Sequence, residues 1–94
     1  MEGKTFAFEV VTPERVVFTG AVTTAVAPAA YGYLGILANH APLLVTLAPG
    51  NITCRSAGGM LTTLRCEGGG FLEVRDNRVV ALADRCRLVH QVAA

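Results

Sequence analysis

The 94-residue chain has no tryptophan, and only 16% of its residues are charged, against roughly 25% in an ordinary soluble domain. With 52% of residues hydrophobic, there is too little charge to cover the surface in the usual way, and part of it is expected to face another protein. The net charge of +1 comes with no cluster of Lys and Arg, so no nucleic-acid partner is expected, because phosphate binding needs several cations on one face. Every apolar run is broken by Gly, Pro or a polar residue well before the roughly 20 residues that a bilayer-spanning helix requires, which argues against direct membrane insertion. The N-terminus, "MEGKTFAFEV", has no long apolar block leading to a small-residue cleavage site. A cytoplasmic chain without a secretory leader is the default expectation.

The three cysteines, Cys54, Cys66 and Cys86, form no C-x-x-C pair, so neither a redox motif nor a metal site is legible from their spacing. They read as small buried hydrophobes. A zinc site assembled from them with His40 or His90 has no spacing signature behind it, and no metal or cofactor is expected.

Catalytic chemistry is equally thin. His40 lies in the apolar stretch "ILANHAPLLVTLAPG" and could serve as a general base near neutrality. No nucleophile motif and no orienting carboxylate accompanies it, so the favoured reading is a structural or interface polar group, and no catalytic residue is assigned. Gly68–Gly70 could cradle a phosphate only if a helix followed, yet "FLEV" follows. They are read as a turn or bulge where two backbones approach closely.

Two-residue periodicity runs through most of the chain. In "TFAFEVV" Phe6, Phe8 and Val10 share one face, the pattern of a half-buried strand. "ERVVFTG" reads as a second strand, and "AVTTAVAPAA" as a third, with Val22, Thr24 and Val26 on one face until Pro28 ends it. Two hairpins follow, turning at Gly58–Gly59 and at Asp76–Asn77. Leu82, Cys86, Val89 and Ala93 could line a helix face, but without a clear cap, so residues 85–94 are expected to fray or form a short turn. The reading is one all-β domain over residues 1–94, an antiparallel sandwich or barrel.

Four segments in order, "VTPERVVFTG", "GYLGILANHAPLLVTLAPG", "GGFLEV" and "VVALAD", together resemble the N-terminal domain of the epsilon subunit of F-type ATP synthases, called delta in mitochondria. The resemblance runs from about Phe6 to Asp84. It implies a flattened β-sandwich of about ten short strands and a non-catalytic subunit of the central rotor stalk. That subunit binds the gamma subunit and the ring of c subunits, coupling ion translocation to ATP synthesis or hydrolysis. By position, it implies that Thr12, Asn39, His40, Ala41, Pro42 and Glu73 face gamma, and that Gly32, Tyr33 and Leu34 point toward the c ring. Tyr33 stands where the family commonly has an acidic residue, and Asn39 where it has Gly, a left-handed position that Asn tolerates. No C-terminal helical domain is expected within these 94 residues, and so no ATP binding. The location implied is peripheral, on the cytoplasmic face of the inner or plasma membrane. The alternatives from other classes are a ligand-binding β-sandwich module and a small His/Cys-dependent enzyme.

Overall fold

In a computed structural model that describes residues 4–93, the chain forms seven strands and no helix. They are β1 (Phe6–Val11), β2 (Val16–Ala29), β3 (Gly32–Leu37), β4 (Leu43–Leu47), β5 (Gly50–Ser56), β6 (Met60–Arg75) and β7 (Arg78–Ala93). Residues 1–3 and 94 of the expected domain lie outside the description.

The expected count of about ten and the observed seven are reconciled by the three long strands, each of which serves both layers of a sandwich. The first layer runs β3, the second half of β2, β5, the first half of β6 and the last part of β7. The second runs β4, the second half of β6, the first part of β7, β1 and the first half of β2. Each layer therefore holds five segments. Every pairing is antiparallel except β1 with β7, which is parallel from Ala7 opposite Arg78 to Val11 opposite Leu82. β1 fills the slot between β2 and β7, and the Asn77 carbonyl accepts from the Ala7 N–H at its entrance.

Each long strand crosses between layers at an irregularity. In β2 the register shifts between Val22 and Thr24, which moves the buried phase from Val22 to Ala25 and Ala27. This corrects the expectation that Val22, Thr24 and Val26 share one face: Val22 is buried and Val26 exposed, because one inserted residue reverses the alternation beyond it. Pro28 does not end the strand either. It is buried within β2, and its carbonyl accepts from the Ala48 N–H at 2.8 Å.

In β6 the crossing is made by the three glycines. The register jumps between Glu67 and Gly70, with φ of 84°, 79° and 155° at Gly68, Gly69 and Gly70. A Cβ on Gly70 would overlap the Leu82 carbonyl, and one on Gly69 would lie 3.0 Å from the Leu47 carbonyl oxygen. The close backbone approach expected of these glycines is present, and it forms the corner of the sandwich.

The tail departs from expectation. β7 continues to Ala93, paired with β6 from Cys86 opposite Cys66 to Ala93 opposite Met60, with one bulge at Val89 where the register shifts between Thr63 and Leu64. The helical spacing of Leu82, Cys86, Val89 and Ala93 is overridden because the first half of β6 offers an unpaired row of backbone donors and acceptors, which only a strand can satisfy.

Between the layers lie Phe6, Phe8 and Val10 of β1, with Leu72 and Val79 of the same layer and Ile36, Ile52 and Leu64 of the facing one. Phe8 packs edge-on to Phe6 and tilted against Phe18, at centroid separations of 6.5 and 5.9 Å.

The Gly70→Ala variant is expected to lose about 2–4 kcal/mol of stability in urea unfolding, since both the positive φ and the overlap with Leu82 must be relieved. Ala at the solvent-exposed Gly35, where a Cβ meets nothing within 4 Å, should change stability by no more than about 0.5 kcal/mol.

Candidate interaction surfaces

The loop between β3 and β4 is built on one left-handed residue. Asn39 has φ of 62°, the conformation that Asn accepts at low cost, and its N–H donates to the Asn77 side-chain oxygen at 2.7 Å. The other end of that amide donates to the Thr5 carbonyl at 3.0 Å. Asn77 itself sits with Asp76 at φ of 58° and 53°, the paired positive values of a two-residue hairpin turn. One side chain thus ties three chain segments together at this end of the sandwich. The sequence marks Asn77 as a turn residue; its clamping role depends on tertiary proximity.

Held by this clamp, His40 is half-buried, while Ala41 and Pro42 are exposed. The His40 Nδ1 donates to the Ala41 carbonyl at 2.8 Å, leaving Nε2 as the ring nitrogen with capacity for a partner. Glu73 lies next to this loop, opposite Leu44 in the β4–β6 ladder. Its contact with Arg75 is long, 4.0 Å, and solvent-exposed, so it holds the carboxylate only weakly.

Thr12 does not join this group. β1 leaves the Asn77 turn at Ala7 and reaches Val11 opposite Leu82, which puts Thr12 roughly 16 Å further along the sandwich at a strand's rise per residue. It is 7% exposed, and its hydroxyl donates to the Arg15 carbonyl and accepts from the Arg15 N–H. Its polar atoms are used in shaping the Pro13–Glu14 turn.

Gly32, Tyr33 and Leu34 lie at the opposite end of β3, roughly 20 Å from the Asn39 loop. Gly32 adopts φ of 128° at the close of the β2–β3 turn. The Tyr33 hydroxyl lies against Gly50, where an added Cβ would come within 3.1 Å of it, and Leu34 packs partly against the core. The most prominent side chain here is Tyr31, fully exposed at the turn's apex. Sequence reasoning passed over it, although its place between Ala30 and Gly32 is a turn-tip signal.

The two outer faces differ in how their apolar side chains are grouped. Strand alternation puts Arg55, Arg65, Arg87 and His90 on the outside of the first layer, among threonines and the exposed Val26, Leu37 and Val92. The outside of the second layer carries Leu44, Phe71 and Leu82, at 69%, 55% and 52% exposure, with Val80 and Val11 beside them; Glu9, Glu73, Arg75 and Arg78 alternate onto the same face. This apolar face runs into an open groove of about 880 Å³ between the Thr12–Pro13 turn, Pro49 and the glycine corner. The clustering comes from adjacent strands and cannot be read from any one segment.

Among the described residues, no three His, Cys, Asp or Glu side chains converge as metal ligands, and no helix is long and apolar enough to cross a membrane.

The family described as the ATP synthase delta/epsilon chain β-sandwich domain matches residues 5–89. The chain belongs to that family. Members similar to it include the ATP synthase epsilon chain of Dichelobacter nodosus, 44% identical over 79 residues, with 84% of this chain and 54% of that protein covered. The epsilon chain of Desulforamulus reducens is 40% identical over 89 residues, covering 95% and 66%. This delta/epsilon-family chain thus spans about half to two thirds of the length of such curated relatives. Its fold matches a chain in the Euglena gracilis mitochondrial ATP synthase (OSCP/F1/c-ring), with a TM-score of 0.83 at 20% identity, covering 94% of this chain and 56% of that one. A chain in the central stalk and c-ring of the Tetrahymena thermophila mitochondrial enzyme matches with a TM-score of 0.72 at 17% identity, covering 92% and 68%.

Asn77→Gly keeps the turn's backbone freedom but removes both side-chain hydrogen bonds. It should cost about 1–2 kcal/mol of stability and accelerate amide hydrogen exchange at Asn39, measured by NMR, more than at core positions such as Leu72.

Proposed function

We propose that this domain is a non-catalytic subunit of the central rotor stalk of an ATP synthase, peripheral to the membrane on its cytoplasmic face. It binds the gamma subunit through the outer face of its second layer and meets the c ring at its Tyr31–Leu34 end, so that ring rotation and gamma rotation stay coupled.

The observation that carries this reading is the contiguous apolar cluster on the outer face of the second layer. Leu44, Phe71 and Leu82 stand exposed side by side on one face, while the arginines Arg55, Arg65 and Arg87 lie on the other. Contiguous exposed apolar surface marks a contact surface, and a permanent subunit contact draws on just this kind of patch. Asn39, His40, Ala41 and Pro42 form the rim of that face where β4 begins, and Glu73 provides a carboxylate within it. Thr12 enters this reading as the residue that fixes the neighbouring turn, since its side chain is buried and engaged. At the far end, Gly32, Tyr33 and Leu34 form the hairpin that presents Tyr31, an aromatic contact to the ring loops in place of a charged one.

The geometry favours a mechanical role. Coupling torque requires a body that does not yield, and three strands that continue from one layer into the other prevent the layers from sliding. The residues brought together are suited to contact, and none of them supplies a nucleophile beside a base.

Leu44→Asp and Phe71→Asp should each weaken binding of the chain to the matching gamma subunit by about 30-fold or more. Both side chains are more than half exposed, so the melting temperature should barely move. Arg87→Asp on the opposite face should leave the affinity within about threefold. Titration calorimetry with the purified gamma subunit reads all three, and normal binding by both apolar-face variants would refute this assignment of the interface. His40→Ala should weaken the same complex by about 1–2 kcal/mol, a larger effect than its change in the unfolding free energy of the isolated chain.

A further inference from the structure

Two of the three cysteines, 20 residues apart in sequence, face each other across the β6–β7 ladder. Cys66 is directly opposite Cys86 in register, and their sulfurs are 2.7 Å apart. Cross-strand partners have Cα separations of about 4.5–5.5 Å, inside the range of roughly 4.4–6.8 Å that a disulfide spans without moving the backbone. The two differ in surroundings. Cys66 is buried in the core, whereas Cys86 is half-buried near the Arg15 guanidinium at the end of the β1–β2 turn.

We propose that Cys66 and Cys86 form a reversible peroxide-reactive dithiol site, in which Cys86 is the attacking thiolate and Cys66 the resolving thiol. The hydrogen bond between the two sulfurs holds Cys86 below the usual thiol range and, with burial, pushes Cys66 above it. A backbone hydrogen bond at Arg87 and the positive charge of Arg15 act in the same direction on Cys86, against the effect of burial. Cys54 provides the contrast: burial pushes its thiol up to about 11 despite a hydrogen bond with Thr62, and it has no cysteine neighbour in its ladder, where it faces Thr62 and Ala25.

In the first step the Cys86 thiolate attacks one oxygen of hydrogen peroxide. The O–O bond breaks, Cys86 becomes a sulfenic acid, and hydroxide leaves and takes up a proton from solvent. In the second, the Cys66 sulfur attacks the Cys86 sulfur, the S–O bond breaks, and the hydroxyl departs with the Cys66 proton as water. The two thiols supply the two electrons that the peroxide accepts. A small dithiol reverses the reaction by exchange. The link would fasten the last part of β7, which pairs only with β6 among the described residues, to the strand that spans both layers.

Treatment of the reduced chain with stoichiometric hydrogen peroxide, followed by alkylation and peptide mapping, tests this. Expected are a Cys66–Cys86 disulfide, an alkylated Cys54, return to three free thiols with dithiothreitol, and a melting temperature raised by about 10 °C in the oxidised form. Cys66→Ala should stop at a sulfenic acid on Cys86 that dimedone traps, and Cys86→Ser should leave Cys66 reduced. Should either variant not fold, the map of the unaltered chain decides alone. Cys66 and Cys86 both remaining alkylatable after peroxide, or Cys54 oxidising as fast as Cys86, would overturn the proposal.

Discussion

Where the Leu82 and Leu47 carbonyls close in on Gly69 and Gly70, the backbone of β6 has no room for a side chain, and that crowding allows one strand to leave the first layer and join the second. β6 pairs with β5 and the end of β7 before the corner, and with β4 and the start of β7 after it. Were the corner to open, both layers would lose their central strand. The other two crossings, at Thr23 of β2 and Asp84 of β7, follow because the partners of a bent strand must bend with it to keep their ladder hydrogen bonds.

From this shared-strand construction comes the molecule's division of labour. A strand that serves two layers cannot slide in one without disturbing the other, so the body is stiff and its variable features are pushed to the rims. At one rim Asn77 ties the Asn39 loop and the start of β1 to the β6–β7 turn; at the other, the β2–β3 turn projects Tyr31. Of the two faces between these rims, one groups Leu44, Phe71 and Leu82 across adjacent strands and the other sets Arg55, Arg65 and Arg87 among threonines. With only 16% of residues charged, the chain cannot cover both faces, and the apolar cluster is then available as a binding surface.

The sulfur pair shows the same logic on a smaller scale. A buried thiol and a half-buried thiol become different chemical groups when a ladder sets them opposite each other, because their shared hydrogen bond and their burial shift them in opposite directions. Positive charge reaches the pair from two elements, Arg65 acting on Cys66 and Arg15 on Cys86.

Much of this fold is legible in single segments. The alternation of Phe6, Phe8 and Val10, the turn at Asp76–Asn77, the left-handed tolerance of Asn39 and the close approach at Gly68–Gly70 are local properties of side-chain size and backbone freedom, and each appears in the structure as the residues dictate. Ordered motifs were enough to indicate the family. What no segment contains is which residues meet. The inserted residue in β2 that brings Ala25 to the core, the pairing that turns residues 85–93 into strand, the apolar face of Leu44, Phe71 and Leu82, the separation of Thr12 from His40 and the contact of Cys66 with Cys86 all depend on partners distant in sequence. Register between distant strands is set by the packing of the whole core, and a shift of one residue reverses every side chain beyond it. The sequence by itself determined the strands, the turns and the family; only the tertiary structure decided which faces those strands present and which residues share them.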